Sequence, residues 1–470
     1  MNSAQRDAGS FRDPSGYVFA DGDRILRAVM APAGETFGAI YDSGLLEELS
    51  DRNLMIGCKR IDASPEQLAQ YTGTRGDTAV ALYEHPRVPM LSYPYEWCFS
   101  QLQDAAIAHL DLQLFALKKG FELSDATAYN MQFIDCRPVH IDALSLRPYV
   151  DGMHWSGYNQ FCRQFLLPLL LEAWSGVAFQ RIYRGSLDGI SFQDALSILP
   201  RRKLFTSAGG FMHVYLHGRA VMATSSKAEK TIGIERKLPK SRYVAILKQL
   251  RGFVSGLKSA KRPASYWKTY AAFNSYSDQM RNTKLQFVND WAAETKPEII
   301  WDIGGNTGDF SMSAISGGAK AAVVLDGDLD SIESAYRLRT KSGEKILPLM
   351  MNVLDPTPNM GWLQNERKGL IERASSDGII ALAVVHHMCI GGNLPLAEAV
   401  RWFLSLAPSG IIEFVPKSDP MVNSLLQVRE DIFHDYTEQV FLRTISEKHQ
   451  ITAQHKFSEN GRLLVAYRLA

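Results

Sequence analysis

The chain lacks paired cysteines, an excess of charge of either sign, and any long apolar run. Its five cysteines, Cys58, Cys98, Cys136, Cys162 and Cys389, are scattered with no C-x-x-C pair. That spacing speaks against a zinc site and a disulfide framework and suits a reducing, cytoplasmic setting. Fifty-one basic against 50 acidic residues leave a formal charge of +1. No global field therefore draws in nucleic acid or an anionic membrane, though a local positive patch is open, and no nucleic-acid partner is expected. The most apolar helical stretch, Phe161–Trp174, carries Arg163, Gln164, Pro168 and Glu172; it is too short and too polar to span a bilayer. The first residues are polar, without the basic-then-apolar order of a signal peptide. Internal repeats and low-complexity tracts are absent as well.

What is present divides into three regions. At 470 residues the chain is too long for one compact core, and two or three domains are expected. Residues 1–225 mix short strands with long helices. Residues 226–265 are rich in lysine and arginine, from Lys227 to Arg262, against Glu229 and Glu235 alone. Pro239 and Pro263 punctuate this stretch, with helical periodicity from Val244 to Leu257. It reads as a basic, solvated connector, or else as a contact for an anionic polymer or lipid headgroup. Residues 266–470 form the third region.

In that third region strand and helix alternate, which argues for a parallel sheet covered on both faces. The expected strands are Ile299–Ile303, Ala321–Leu325, Ile346–Met350, Ile379–Val385 and Gly410–Phe414. Between them Phe310–Gly317, Leu329–Arg339, Trp362–Ala374 and Leu396–Leu406 read as helices. Two alternating runs, Gln450–Phe457 and Arg462–Leu469, flank Asn460-Gly461, a hairpin signal.

The run Ile300-Trp301-Asp302-Ile303-Gly304-Gly305-Asn306-Thr307-Gly308-Asp309-Phe310 reads as a buried strand, a glycine turn and the start of a helix. Gly304 and Gly308 have no Cβ, so the backbone can approach a nucleotide-like ligand. The spacing is acid-x-Gly-x-x-x-Gly, not the dinucleotide G-x-G-x-x-G. The second strand ends in Asp326, within the roughly 20-residue interval expected of an acid that reads a ribose. These residues resemble the S-adenosylmethionine (SAM) site of class I methyltransferases. With Ala383-Val384-Val385-His386-His387-Met388 and Ile412-Glu413-Phe414-Val415-Pro416-Lys417-Ser418-Asp419-Pro420, the region is similar to bacterial class I methyltransferases related to host-specific nodulation proteins.

That resemblance implies a Rossmann-like seven-stranded sheet whose last strand is antiparallel, with SAM as cofactor. It also implies methyl transfer to a small-molecule or carbohydrate-like acceptor, with oxygen as the nucleophile. Asp302, Gly304, Gly305, Asn306 and Gly308 are then expected around the amino-acid end of the cofactor, and Asp326 on the ribose. Either Asn352 or Asp355 is expected on the adenine; Asp328 and Asp330 read as helix-capping residues. His387, or its neighbour His386, is the candidate proton acceptor, since histidine titrates near neutrality. Glu413, Lys417 and Asp419 are candidate substrate contacts, with Lys417 or Arg401 as the cation that would meet a buried Glu413. Tyr276 and Lys284, on a helix ahead of the first strand, are further candidates.

A second pattern lies in residues 1–225. Asp125, Asn130 and Asp142 resemble the catalytic loop and metal-binding acid of kinase-like folds, implying an α+β kinase-like domain. In that scheme Asp125 accepts a hydroxyl proton while Asn130 and Asp142 hold Mg²⁺ for ATP. Gly16–Val29 is the expected first hairpin, with Arg27, or else Lys59, in place of the phosphate-binding lysine. Met131–Phe133 and Val139–Ile141 would form a second hairpin, Met90–Tyr95 a connecting strand, and Trp155–Trp174 a helix behind the loop. No His-Arg precedes Asp125 and no Phe-Gly follows Asp142, so a degenerate domain is the alternative to a bifunctional kinase-methyltransferase. A non-catalytic SAM-binding scaffold is a third reading.

Overall fold

The computed structural model describes residues 4–225, 238–260, 278–373, 376–427 and 430–470. The chain forms two compact units. One comprises Met1–Arg262 with Met360–Arg367, the other Pro263–Asn359 with Lys368–Ala470.

In the first unit, β1 (Gln5–Arg6), β2 (Gly16–Asp21), β3 (Arg24–Met30), β4 (Lys59–Ile61) and β5 (Ala79–His85) form an antiparallel sheet in the order β1-β2-β3-β5-β4. Alternation along β3 splits its side chains between two cores. Leu26, Ala28 and Met30 join Tyr17, Phe19 and Leu82. Val29 joins Phe37, Leu46 and Leu112 on the other side. The helix Phe99–Lys119 ends at Gly120, whose φ of +90° is the left-handed conformation of a C-terminal cap.

Beyond it, β6 (Phe121–Leu123) pairs with β9 (Leu146–Pro148). The hairpin of β7 (Met131–Ile134) and β8 (Arg137–His140) lies between them in sequence. A helical run follows from Tyr158 to Ser175, widened into a π turn over Cys162–Leu166. The strand expected at Met90–Tyr95 is not formed. Pro94–Glu96 is a 3₁₀ turn instead, in which Glu96 accepts the Tyr93 N–H at 2.9 Å.

The basic connector also differs from expectation. Residues 226–237 and 261–265 lie outside the described residues, but Lys240–Ser255 is a helix of the first unit. It buries Tyr243, Leu247, Leu250 and Val254. Arg251 pairs with Asp111 at 2.5 Å, and Gln103 donates to the carbonyls of Val254 and Leu257. Charge dominates the composition here, while the apolar residues recur at helical spacing and decide the packing.

The second unit holds seven strands: β10 (Ile299–Ile303), β11 (Ala321–Asp326), β12 (Ile346–Met350), β13 (Gly378–Ala381), β14 (Ser409–Phe414), β15 (His449–Lys456) and β16 (Leu463–Leu469). Their order is β12-β11-β10-β13-β14-β16-β15. The first five are parallel, and β16 runs antiparallel to both β14 and β15. Buried on both faces, β10 and β14 read as nearly unbroken apolar runs. Gly461, at φ +71°, turns the β15–β16 hairpin, and Asn460 Oδ1 accepts the Arg462 N–H.

Two expectations need correction. The fourth strand stops at Ala381, not Val385, because Ala383 takes a left-handed φ of +54° and turns the chain. The helix expected at Trp362–Ala374 is not formed over Trp362–Arg373, and Ala374 lies outside the described residues. That stretch holds 3₁₀ turns at Trp362–Gln364 and Ile371–Arg373, and Met360–Arg367 belongs to the first unit. There Glu366 takes Arg12 at 2.5 and 2.9 Å, and the Arg367 guanidinium lies 4.5 Å from the Tyr129 ring centroid. Helices Pro420–Leu426 and Glu438–Ser446 were not expected. Among the described residues no helix is long and apolar enough to cross a membrane.

Candidate active site

The strand order reverses between β10 and β13, where an open parallel sheet leaves a crevice at its carboxyl end. The turn after β10 occupies that point. Gly304, Asn306 and Gly308 all have positive φ, at +72°, +50° and +79°. The Gly304 N–H donates to the Leu325 carbonyl at 2.7 Å, tying the turn to β11. A Cβ on Gly304 would stand 2.5 Å from Val384 Cγ2, so the β10 and β13 turns touch there. One on Gly305 would stand 2.6 Å from the Asp302 carboxyl carbon. Glycine at these positions lets the backbone fold closely on itself and on the neighbouring turn.

Asp302 and Asp326 brace this turn from inside. Asp302 is buried, and its Oδ2 accepts the Ser311 N–H at 3.1 Å and the Ser311 hydroxyl at 2.8 Å. Burial pushes its carboxyl up to about 7, against the Ser311 hydrogen bonds. Asp326 accepts the Asn306 N–H at 2.9 Å and the Asp328 N–H at 2.8 Å. Its carboxyl is raised to about 6, again chiefly by burial. Asp328 caps the following helix through Asp330 and Ser331, the capping role expected of it.

Asn352 and Asp355 are both exposed on the loop after β12. Asn352 Oδ1 accepts the Leu354 N–H at 3.1 Å, and its carbonyl accepts the Asp355 N–H at 3.0 Å. Leu354 rests against Gly392, where an added Cβ would collide with the leucine side chain. The loops after β12 and β13 thus approach each other beside the crevice.

His386 and His387 follow the left-handed turn at Ala383, their ring centroids 4.0 Å apart. His386 is fully buried, and burial, then His387, Arg462 and Lys284, hold its basicity well below the usual histidine range. His387 is lowered to about 4 by burial and by Arg462. Both imidazoles are neutral at pH 7.

The three substrate candidates are placed differently from one another. Glu413 is buried, and its cation is Lys284 at 2.6 Å, neither Lys417 nor Arg401. Arg462 Nη1 lies 3.5 Å from the same carboxylate oxygen and grips Asp419 at 2.6 and 3.1 Å. Asp419 also caps helix Pro420–Leu426. Lys284, Glu413, Arg462 and Asp419 form a charge-balanced buried quartet, which offsets much of the cost of removing four charges from water. Lys417 instead pairs with Asp431 at the surface, and Arg401 with Glu398 and Glu447. Tyr276 lies outside the described residues.

Reading the sequence missed Arg462 and Ser311. Neither carried a distinct signal: Arg462 follows a polar turn, and Ser311 is one of three serines in its helix.

In the first unit, Asn130 Nδ2 lies 3.4 Å from both Asp125 oxygens and 3.3 Å from Asp142 Oδ2. Asp125 is raised to about 7 by burial and by the Asp142 charge. Arg27 reaches Asp142 Oδ1 at 2.9 Å, while Lys59 is exposed on β4. The three expected residues converge, and Arg27, the cation expected beside them, stands on the acid expected to hold magnesium. Among the described residues no group of three or more His, Cys, Asp or Glu side chains is arranged to hold a metal ion.

No family model matches the chain. Solved structures similar to it include the N-methyltransferase NodS from Bradyrhizobium japonicum WM9 in complex with S-adenosyl-L-homocysteine. That match has 12% identity, covering 42% of this chain and 89% of that one, with a TM-score of 0.30. The O-methyltransferase from Bacillus cereus matches at 14% identity, over 44% and 92%, also with a TM-score of 0.30. Nodulation protein NoeA of Rhizobium meliloti (strain 1021) is 41% identical over 464 residues, covering 98% of this chain and 96% of that protein. At that identity and coverage, the chain belongs to the family of nodulation protein NoeA.

Proposed function

We propose that the second unit is a SAM-dependent methyltransferase acting on a small-molecule or carbohydrate-like acceptor, at oxygen. The observation that carries this reading is the turn Gly304–Gly308. Its three left-handed residues are latched to Asp326, at the point where the strand order reverses. A site for an adenosyl ligand needs a glycine-rich turn of this kind and a carboxylate at the end of the second strand. Both are present, and Asp326 retains lone pairs to accept a ribose diol. Asp302, Gly305 and Asn306 would shape the amino-acid end, and Asn352 or Asp355 would meet the adenine.

When bound, SAM supplies an electrophilic methyl group on a cationic sulfur. This chain's own residues would do the rest. The β10 and β13 turns, locked at Gly304 and Val384, would hold the reactants in line. His387, unprotonated at neutral pH, would accept a hydrogen bond from the acceptor hydroxyl. The Lys284–Glu413–Arg462–Asp419 quartet would keep β14 and the β15–β16 hairpin fixed beside it. The related NoeA is a nodulation protein by name, and we extend that process to this chain.

Calorimetric titration of SAM, S-adenosylhomocysteine and NAD into the full chain and into Asp326→Ala tests this reading. SAM and S-adenosylhomocysteine should bind, NAD should not, and Asp326→Ala should bind at least tenfold more weakly, the loss of about one good hydrogen-bonded contact. Folded protein that ignores millimolar-range SAM would end the proposal. The bifunctional alternative requires Mg-ATP to bind the full chain and to be lost in Asp142→Ala.

A further inference from the structure

One face of the first unit is neither core nor part of the crevice. Residues 195–225 contain no aspartate or glutamate but hold Arg201, Arg202, Lys203 and Arg219. The same segment exposes large apolar side chains: Ile198, Phe205 (54%), Phe211, Met212 and Leu216 (48%). These are not scattered. Phe205 and Tyr215 have ring centroids 4.8 Å apart, and Phe211 stacks on Tyr215 at 5.7 Å.

Arg201 and Arg202 precede Phe205 by four and three residues on the helix Arg201–Thr206, so they share its side of that helix. Arg219 follows Leu216 by three. An open cavity of about 330 Å³ lies alongside, lined by Trp174, Lys203, Thr206, Ser207 and Phe253.

We propose that this face docks on an anionic lipid surface. Contiguous exposed aromatic and aliphatic side chains gain by entering an acyl boundary, and singly scattered ones would need no such account. Arg201, Arg202, Lys203 and Arg219 outnumber the one nearby acid, Asp194, which lies a turn before Ile198, and they complement phosphate headgroups rather than an uncharged layer. An apolar patch whose aromatic cluster carries a single hydroxyl, that of Tyr215, does not suit nucleic-acid readout, which needs base-edge contacts or an extended basic groove. The cavity beside it, with Lys203, Thr206 and Ser207 on its wall, is sized for a headgroup. The contact is interfacial and involves no span.

Flotation of the full chain with phosphatidylcholine vesicles, with and without phosphatidylglycerol, is the test. The protein should float with the phosphatidylglycerol vesicles, stay behind with phosphatidylcholine alone, and be released by high salt. Arg201→Gln with Arg202→Gln and Lys203→Gln should weaken partition about a hundredfold, near fivefold per cation. Phe205→Ser with Phe211→Ser should abolish it, with melting temperature and SAM titration unchanged. Failure of the wild-type chain to float with either vesicle overturns the proposal. So does flotation that both variants retain. A concentration-dependent dimer that Phe205→Ser with Phe211→Ser dissolves also overturns it, because a second copy would then be the occupant.

Discussion

The Lys284 ammonium and the Glu413 carboxylate meet at 2.6 Å with side chains 2% and 0% exposed. A pair so buried gives little net stability but makes the loss of one partner costly. Lys284→Met should therefore destabilise the second unit by about 3–5 kcal/mol, by stranding Glu413 beside Arg462 alone. Glu413→Gln should cost less, because the amide still accepts a hydrogen bond. Adding Glu413→Leu to Lys284→Met should recover part of the loss. Urea unfolding of the wild-type chain, Lys284→Met, Glu413→Leu and the double variant measures the coupling, and additive losses would rule it out.

Gly304 and Gly343 form a natural control pair. Both have left-handed φ, +72° and +74°, but a Cβ on Gly343 would meet nothing within 4 Å, whereas one on Gly304 meets Val384 at 2.5 Å. Gly343→Ala should cost about 1 kcal/mol, the price of the dihedral alone. Gly304→Ala should cost more and should also weaken SAM binding at least tenfold, because the turn must shift to admit the methyl. Thermal melts and calorimetry on both variants separate dihedral strain from steric loss. Equal behaviour of the two would mean that the crevice does not depend on this contact.

Asp326, raised to about 6, makes a prediction about pH. Its carboxylate form is the one that accepts hydrogen bonds from both ribose hydroxyls. SAM affinity should rise with pH through about 6 and level off above it. At pH 5 it should be about tenfold weaker than the plateau, since one unit below a pKa leaves about a tenth ionised. Unfolding does not explain such a fall. A carboxyl whose folded pKa lies above its unfolded 3.8 binds more protons when folded, so this group's contribution to stability falls as pH rises between those values and grows on acidification. Asp326→Asn should remove the inflection near 6 and leave any due to Asp302 nearer 7. An unchanged profile in that variant would move the effect elsewhere.

The cradle was legible in the sequence because each part makes a local demand. Gly304 and Gly308 sit where only a side chain without Cβ fits, and Asp326 ends a five-residue apolar run. The quartet was not legible. Lys284 and Glu413 are 129 residues apart, and Arg462 and Asp419 are 43 apart, so no periodicity links them. Glu413 was recognisable as a charge needing a partner, but the nearest cations in sequence, Lys417 and Arg401, turned out to have surface acids of their own. The helix expected at Trp362–Ala374 failed for a related reason. Its apolar spacing was helical, but Leu363 and Gln364 take positive φ while Glu366 engages Arg12. Tertiary contacts override propensity there.

His387 is lowered to about 4 by burial and by Arg462, and this sets what it can contribute. An imidazole neutral throughout the physiological range accepts a hydrogen bond readily, yet it is a weak proton acceptor, since efficiency follows basicity. His387→Ala should then reduce methyl transfer by about 10- to 100-fold, toward the lower end of general-base effects, with SAM affinity unchanged. Labelled SAM with a cell extract as the acceptor pool measures the rate even while the acceptor is unidentified. The wild-type rate should show no inflection near 6.5 from this residue. An inflection there that disappears in His387→Ala would show a more basic imidazole than the buried site allows. Full activity in the variant would remove His387 from the chemistry and leave in-line placement by the β10 and β13 turns to account for the rate.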